Sequence, residues 1–153
     1  MQLNIHGEIA QAATLTMEAG EVVWASKGSL MNYGPGIEWN LKVPGGVAGA
    51  AFFGGAGLFL QKISGTGTVL VHGSGDFQDV RLGAGEQLRA STGNLAAFAE
   101  AVDYDIERVG SLRKTLFGSE GFFMTRLQGP GRVLLQTLKR TSGHQGRGGP
   151  PPG

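Results

Sequence analysis

Leu116-Phe117-Gly118-Ser119-Glu120-Gly121-Phe122-Phe123-Met124-Thr125-Arg126-Leu127-Gln128-Gly129-Pro130-Gly131-Arg132-Val133-Leu134-Leu135-Gln136-Thr137-Leu138 has an earlier counterpart in the same chain. At an offset of 64 residues Phe53, Gly54, Gly57, Phe59, Gly65, Gly67, Val69 and Leu70 recur as Phe117, Gly118, Gly121, Phe123, Gly129, Gly131, Val133 and Leu134. Both stretches read as hairpins that turn at glycine. A self-match at fixed spacing signals a duplicated structural unit.

The match extends upstream. Gly20, Glu21, Ala25, Ser26, Gly28 and Leu30 return 65 residues later as Gly85, Glu86, Ala90, Ser91, Gly93 and Leu95. Turn glycines weigh more than apolar matches, because glycine is chosen where φ is positive or where backbones approach closely. The repeat also overrides local preference. Residues 94–101 favour helix by their alanines, leucine and glutamate, but their counterpart ends in Gly34-Pro35-Gly36. Both are therefore predicted to be a strand followed by a turn.

Ile37-Glu38-Trp39-Asn40-Leu41-Lys42 and Val102-Asp103-Tyr104-Asp105-Ile106-Glu107 alternate apolar and polar residues without a break. This places Ile37, Trp39 and Leu41, and likewise Val102, Tyr104 and Ile106, on a buried face. Asp103, Asp105 and Glu107 share the opposite face. A row of carboxylates suits Ca²⁺ or Mg²⁺, but Glu38, Asn40 and Lys42 hold those places in the first copy, which favours a solvated face.

The connectors differ most between the copies. Residues 43–60 carry no charge, yet Pro44 and six glycines argue against a membrane span. The matching slot holds Arg108, Arg113 and Lys114, and its Val109, Leu112, Leu116 and Phe117 are spaced for a short amphipathic helix over 108–117. After residue 140 the chain is rich in glycine and proline, so 141–153 is predicted to be a flexible tail.

At 153 residues the chain fits one domain, 1–140, with repeats at about 13–72 and 78–136. Cysteine is absent, which suits a reducing compartment. No basic and apolar leader opens the sequence, so the expected location is cytoplasmic, with an attachment at the periphery of a membrane kept open. The net charge of +1 conceals −6 over residues 1–107 and +7 over 108–153. That split suits a mixed surface, a basic face for an anionic partner, or head-to-tail attraction between protomers.

Gly85-Glu86, Thr92-Gly93-Asn94-Leu95, residues 102–110, Leu116-Phe117-Gly118-Ser119-Glu120-Gly121 and Gly129-Pro130-Gly131-Arg132-Val133 resemble the altered inheritance of mitochondria 24 family. The resemblance covers roughly residues 8–140. It implies an all-β fold like that of the tryptophan RNA-binding attenuation protein, a double-stranded β-helix or β-sandwich of tandem units. It implies no agreed biochemical activity. Longer relatives carry a further copy of the unit, so a chain with two is expected to leave sheet edges that self-association hides.

Reactive chemistry is sparse. A nucleophile needs a positioned base, and the chain has no cysteine and three histidines, of which His144 lies in the tail. His72 closes an apolar run before Gly73-Ser74-Gly75-Asp76 and reads as a surface or capping residue. Neither a catalytic set nor a metal site nor a cofactor motif emerges. Arg113, Lys114, Arg126, Arg132, Lys139 and Arg140 are candidates for one basic, partner-binding patch, and Val47, Phe52 and Phe53 for an interface. The expected function is a non-enzymatic, self-associating scaffold or accessory protein, with a protein or an anionic membrane surface as further partner. The alternative is a nucleic-acid or small-ligand binding module on the basic C-terminal face, with nucleic acid the less favoured partner.

Overall fold

Alternation of apolar and polar residues, broken by glycine turns, yields thirteen strands among the residues described by the computed structural model, which are 1–42, 59–108 and 123–139. These are β1 (Gln2–His6), β2 (Ala12–Met17), β3 (Val22–Ser26), β4 (Leu30–Tyr33), β5 (Ile37–Lys42), β6 (Leu60–Gly65) and β7 (Gly67–His72). There follow β8 (Phe77–Leu82), β9 (Gln87–Ser91), β10 (Leu95–Ala99), β11 (Asp103–Arg108), β12 (Phe123–Gln128) and β13 (Gly131–Gln136). A single 3-10 turn, Thr92–Asn94, is the helical element among the described residues. The helix-favouring composition of residues 94–101 loses to strand pairing, as the repeat predicts. Of the expected helix over 108–117, Arg108 ends a strand and the rest lies outside the described residues.

Three antiparallel sheets form, ordered β1-β2-β7-β4, β5-β6-β3-β10-β13-β8 and β11-β12-β9. The six-stranded sheet lies in the middle and contributes side chains to two cores. Val23, Ala25, Ile63, Ala97 and Leu134 pack with Ala13, Leu15, Val69 and Val71 of the four-stranded sheet. Leu60, Leu95, Phe98 and Val133 pack with Ala90 and Leu127 of the three-stranded one. Successive side chains of a strand point to opposite faces, so a sheet covered on both sides needs apolar residues on both. Residues 95–98, buried without exception, meet that demand.

The two predicted hairpins are not hairpins. β6 lies in the six-stranded sheet and β7 in the four-stranded one, while β12 lies in the three-stranded sheet and β13 in the six-stranded one. Each glycine turn is a corner that carries the chain from one sheet to the next. Gly65 makes the first corner with φ +115°, a conformation that L side chains rarely adopt, and a Cβ there would run into the carbonyl of Gly36. At the second corner a Cβ on Gly129 would meet Gly83 and Leu82. Periodicity reports which residues share a face but not which strand lies alongside, so corner and hairpin look alike in sequence.

The pairings of the two halves run in parallel. β2 and β4 both pair with β7, and β3 and β5 with β6. Likewise β8 and β10 pair with β13, and β9 and β11 with β12. Register follows suit: Ala13 opposes Val71, and 65 and 64 positions further on Gln78 opposes Leu135. Even the register shift between Leu30 and Asn32 is matched by one between Leu95 and Ala97. One ladder joins the halves, where β3 meets β10 through Ala25 and Ala97, Trp24 and Phe98, and Val23 and Ala99.

Burial departs from the prediction at the end of β5. Ile37 is buried as expected, but Trp39 and Leu41 are exposed. Their counterparts Tyr104 and Ile106 pack against the second core. Tyr104 is covered by Trp24 of β3, at 6.2 Å between ring centroids, whereas β4 ends its sheet and no described strand beyond it supplies such a ring.

Candidate functional site

Two surfaces among the described residues combine chemistry with access. The first is a groove of about 580 Å³ lined by Met1, Leu3, Glu21, Arg81, Gly131 and Arg132 among others. Arg81 and Arg132 oppose each other directly across β8 and β13, so two like charges share one face. Such a pair is destabilising unless a counter-charge relieves it. Asp79 supplies one, its Oδ1 lying 3.0 Å from Nε of Arg132. Arg81 is exposed at the same mouth. Across the groove, Glu21 accepts hydrogen bonds from the amino group of Met1 and from the backbone N–H of Glu18. Those two contacts, in that order, hold its carboxyl below the usual carboxylate range. Leu3, Leu15, Val23, Phe98 and Leu134, with Met1 and Arg132, line a separate void of about 10 Å³, too small to admit a ligand. A groove with Arg81 and Arg132 at its mouth suits a small anionic ligand.

The second surface is the edge formed by β4 and β5, where Met31, Tyr33, Trp39 and Leu41 are all exposed. β4 is an edge strand of the four-stranded sheet and β5 of the six-stranded one, and exposed apolar residues on sheet edges are candidates for contact with another molecule.

The arginines singled out in the sequence do not share one surface. Arg126 belongs to β12 of the three-stranded sheet and Arg132 to β13 of the six-stranded one. On the outer face of the three-stranded sheet, Asp105, Arg126 and Arg89 stand opposite one another across β11, β12 and β9. Glu107 bridges the two arginines, at 2.8 Å from Nε of Arg89 and 3.4 Å from Nε of Arg126, and Asp105 lies 3.6 Å from Arg126. The Arg89 guanidinium is held even more firmly protonated than usual by Glu107. Asp105 and Glu107 of the acidic row of β11 are thus occupied with arginines. Lys139 is exposed, while Arg113, Lys114, Arg140, Val47, Phe52 and Phe53 lie outside the described residues. Among the described residues no three histidine or acidic groups converge to hold a metal ion, and no helix is long and apolar enough to cross a membrane.

Arg81, Met31 and Tyr33 escaped the reading of the sequence. Arg81 is isolated in sequence, and only the ladder between β8 and β13 brings it to Arg132. Met31 and Tyr33 did leave a signal, since they align with Ala96 and Phe98, the most apolar part of the second half.

The sheets and surfaces described define an all-β, three-layered protein with long-range antiparallel pairing throughout. Residues 35–138 match the profile of the family described as mitochondrial biogenesis AIM24, and the chain belongs to that family. No curated protein matches the chain. Among solved structures, the crystal structure of protein SPYM3_0169 from Streptococcus pyogenes is similar, with a TM-score of 0.51 and 16% identity over 90% of this chain and 94% of that one. At that identity the likeness is one of fold.

Proposed function

We propose that this chain is a non-enzymatic, self-associating scaffold or accessory protein, built from two tandem copies of a unit with the double-stranded β-helical, tryptophan RNA-binding attenuation protein-like architecture. One observation carries the proposal: Met31, Tyr33, Trp39 and Leu41 are exposed, although of their counterparts Ala96 is buried in the first core, Phe98 is buried in the second, and Tyr104 and Ile106 pack against the second. An apolar edge that the described strands cover in one half, and leave uncovered in the other, is a surface for a second molecule. Light scattering on the eluting peak of a size-exclusion column tests it. A species of more than one chain at micromolar concentration is expected, and a strict monomer overturns the proposal. Attachment at the periphery of a cytoplasmic membrane surface is a further part of it, supported by the uncharged stretch 43–60; sedimentation with anionic vesicles reads it directly.

A second function is favoured by the opposed Arg81 and Arg132 at the mouth of the groove, namely binding of an anionic small ligand or of single-stranded nucleic acid. Binding of single-stranded RNA should then weaken steeply with salt and with Arg81→Ala plus Arg132→Ala. Absence of salt-sensitive binding ends the nucleic-acid form of this proposal, and absence of protection by phosphorylated or carboxylated small molecules ends the other.

A further inference from the structure

We propose that the outer edge of β9 in one copy of this chain pairs with the outer edge of β4 in a second copy, in the register that β3 and β10 use within a chain. This rests on the self-association proposed above and names the surfaces that meet. Within the parallel pairing schemes, β9 takes the place of β3 and β4 takes the place of β10. β3 has two ladder neighbours, β6 and β10, whereas β9 has only β12 among the described strands. β10 likewise has two, β13 and β3, whereas β4 has only β7. Among the described strands the junction between β3 and β10 is therefore made once, and one further set of the same two edges is left over. The leftover edges sit at opposite ends of the molecule's pairing scheme and complement each other rather than themselves, which makes the contact head to tail.

Register follows from the internal junction. Ala25 opposes Ala97, Trp24 opposes Phe98 and Val23 opposes Ala99. Shifted to the leftover edges, Ala90 opposes Asn32 of the second copy, Arg89 opposes Tyr33, and Leu88 opposes Gly34. Pairing stops there, because Pro35 stands where Glu100 donates its N–H to Val22, and proline has no N–H to give. The three-stranded sheet of one chain then continues into the four-stranded sheet of the next, a single sheet of seven strands.

Side-chain chemistry matches. At the internal junction Trp24 lies against Phe98, at 6.5 Å, and against Tyr104, at 6.2 Å. Arg89 holds the place of Trp24, and Tyr33 and Trp39 hold the places of Phe98 and Tyr104. A guanidinium, planar and weakly hydrated, stacks on aromatic faces in a way that an ammonium does not. Tyr33 and Trp39 are 49% and 41% exposed, against 1% for Phe98, so the rings that Arg89 would cover are the ones left bare.

The chain has no cysteine, so introduced ones report alone. Asn32→Cys protein is mixed with Ala90→Cys protein under mild oxidation, with each variant oxidised by itself as control. Opposed residues of an antiparallel pair bring Cβ atoms within reach of a disulfide, so a covalent dimer is expected from the mixture and not from either variant alone. A parallel measurement uses Tyr33→Lys and Tyr33→Glu, both at an exposed position. The lysine faces Arg89 and should reduce the scattering mass to that of one chain, while the glutamate meets Arg89 and should keep the association. If the wild type associates but the mixture gives no link, or if Asn32→Cys links to itself, the pairing of β9 with β4 is overturned and self-association stands. A monomeric wild type overturns both.

Discussion

Tyr33 and Phe98 hold the same place in two halves with the same pairing scheme, yet the first is half exposed and the second is buried. Each is paired to the residue that answers it, Val69 or Val133, in the same register. What differs is the next strand along. β10 has β3 beyond it and β4 has no described strand, so identical local structure ends in opposite environments. Burial is thus a property of the junction between halves rather than of the local strand, and among the described residues the difference leaves β4 uncovered.

The largest effect that would test this comparison lies at the corners, which both halves need. Gly65→Ala places a Cβ against the Gly36 carbonyl in a left-handed conformation, and is expected to cost about 4 kcal/mol from backbone strain and overpacking together. Thermal unfolding of this variant beside Gly129→Ala shows whether the two corners are equally demanding; a loss under about 1 kcal/mol for Gly65→Ala would mean that the corner can open. Next comes the comparison itself. Phe98→Ala should lose about 3–5 kcal/mol, while Tyr33→Ala, measured on the dissociated chain, should stay within about 0.5 kcal/mol. Equal losses at the two positions would mean that β4 is covered.

A smaller effect is expected where the second half carries a polar device. Gln136 is buried, accepts a hydrogen bond from the N–H of Ser74 and donates one to the carbonyl of Gly93. Its counterpart is His72, an exposed residue. Gln136→Leu strands both loop groups and should cost about 1–3 kcal/mol by chemical denaturation; no change would show that water replaces the amide.

The smallest effect is a titration. Burial, and then the nearby charge of Asp103, raise the phenol of Tyr104 above its ordinary value. The folded state therefore holds its proton more tightly than the unfolded one. This contribution is present below the ordinary tyrosine range and lost as pH rises through the elevated one. In Tyr33→Phe, which leaves Tyr104 as the one tyrosine, ultraviolet absorbance should show tyrosinate forming late and together with unfolding. Ionisation at the ordinary position would mean that Trp24 and Phe98 leave the ring open to water.

Much of the fold is legible in the chain. The unbroken alternation of residues 37–42 and 102–107 and the recurring glycines announce strands and turns, because a pleated backbone and a left-handed turn each leave a local signature. The candidate site is less so. Arg126 and Arg132, close in sequence, separate into two sheets, and Arg132 and Arg81, far apart in sequence, come together. Trp39 alternates as faithfully as Tyr104 and is nonetheless exposed.

From sequence alone came an all-β chain with its alternating strands and its turn positions. Tertiary structure alone decided that the glycine turns are corners between sheets, which arginines meet which carboxylates, and which apolar edge is left bare. The physical reason is range: side-chain alternation and glycine φ are set within a few residues, whereas the neighbour across a ladder or a layer is chosen by pairing between strands tens of residues apart.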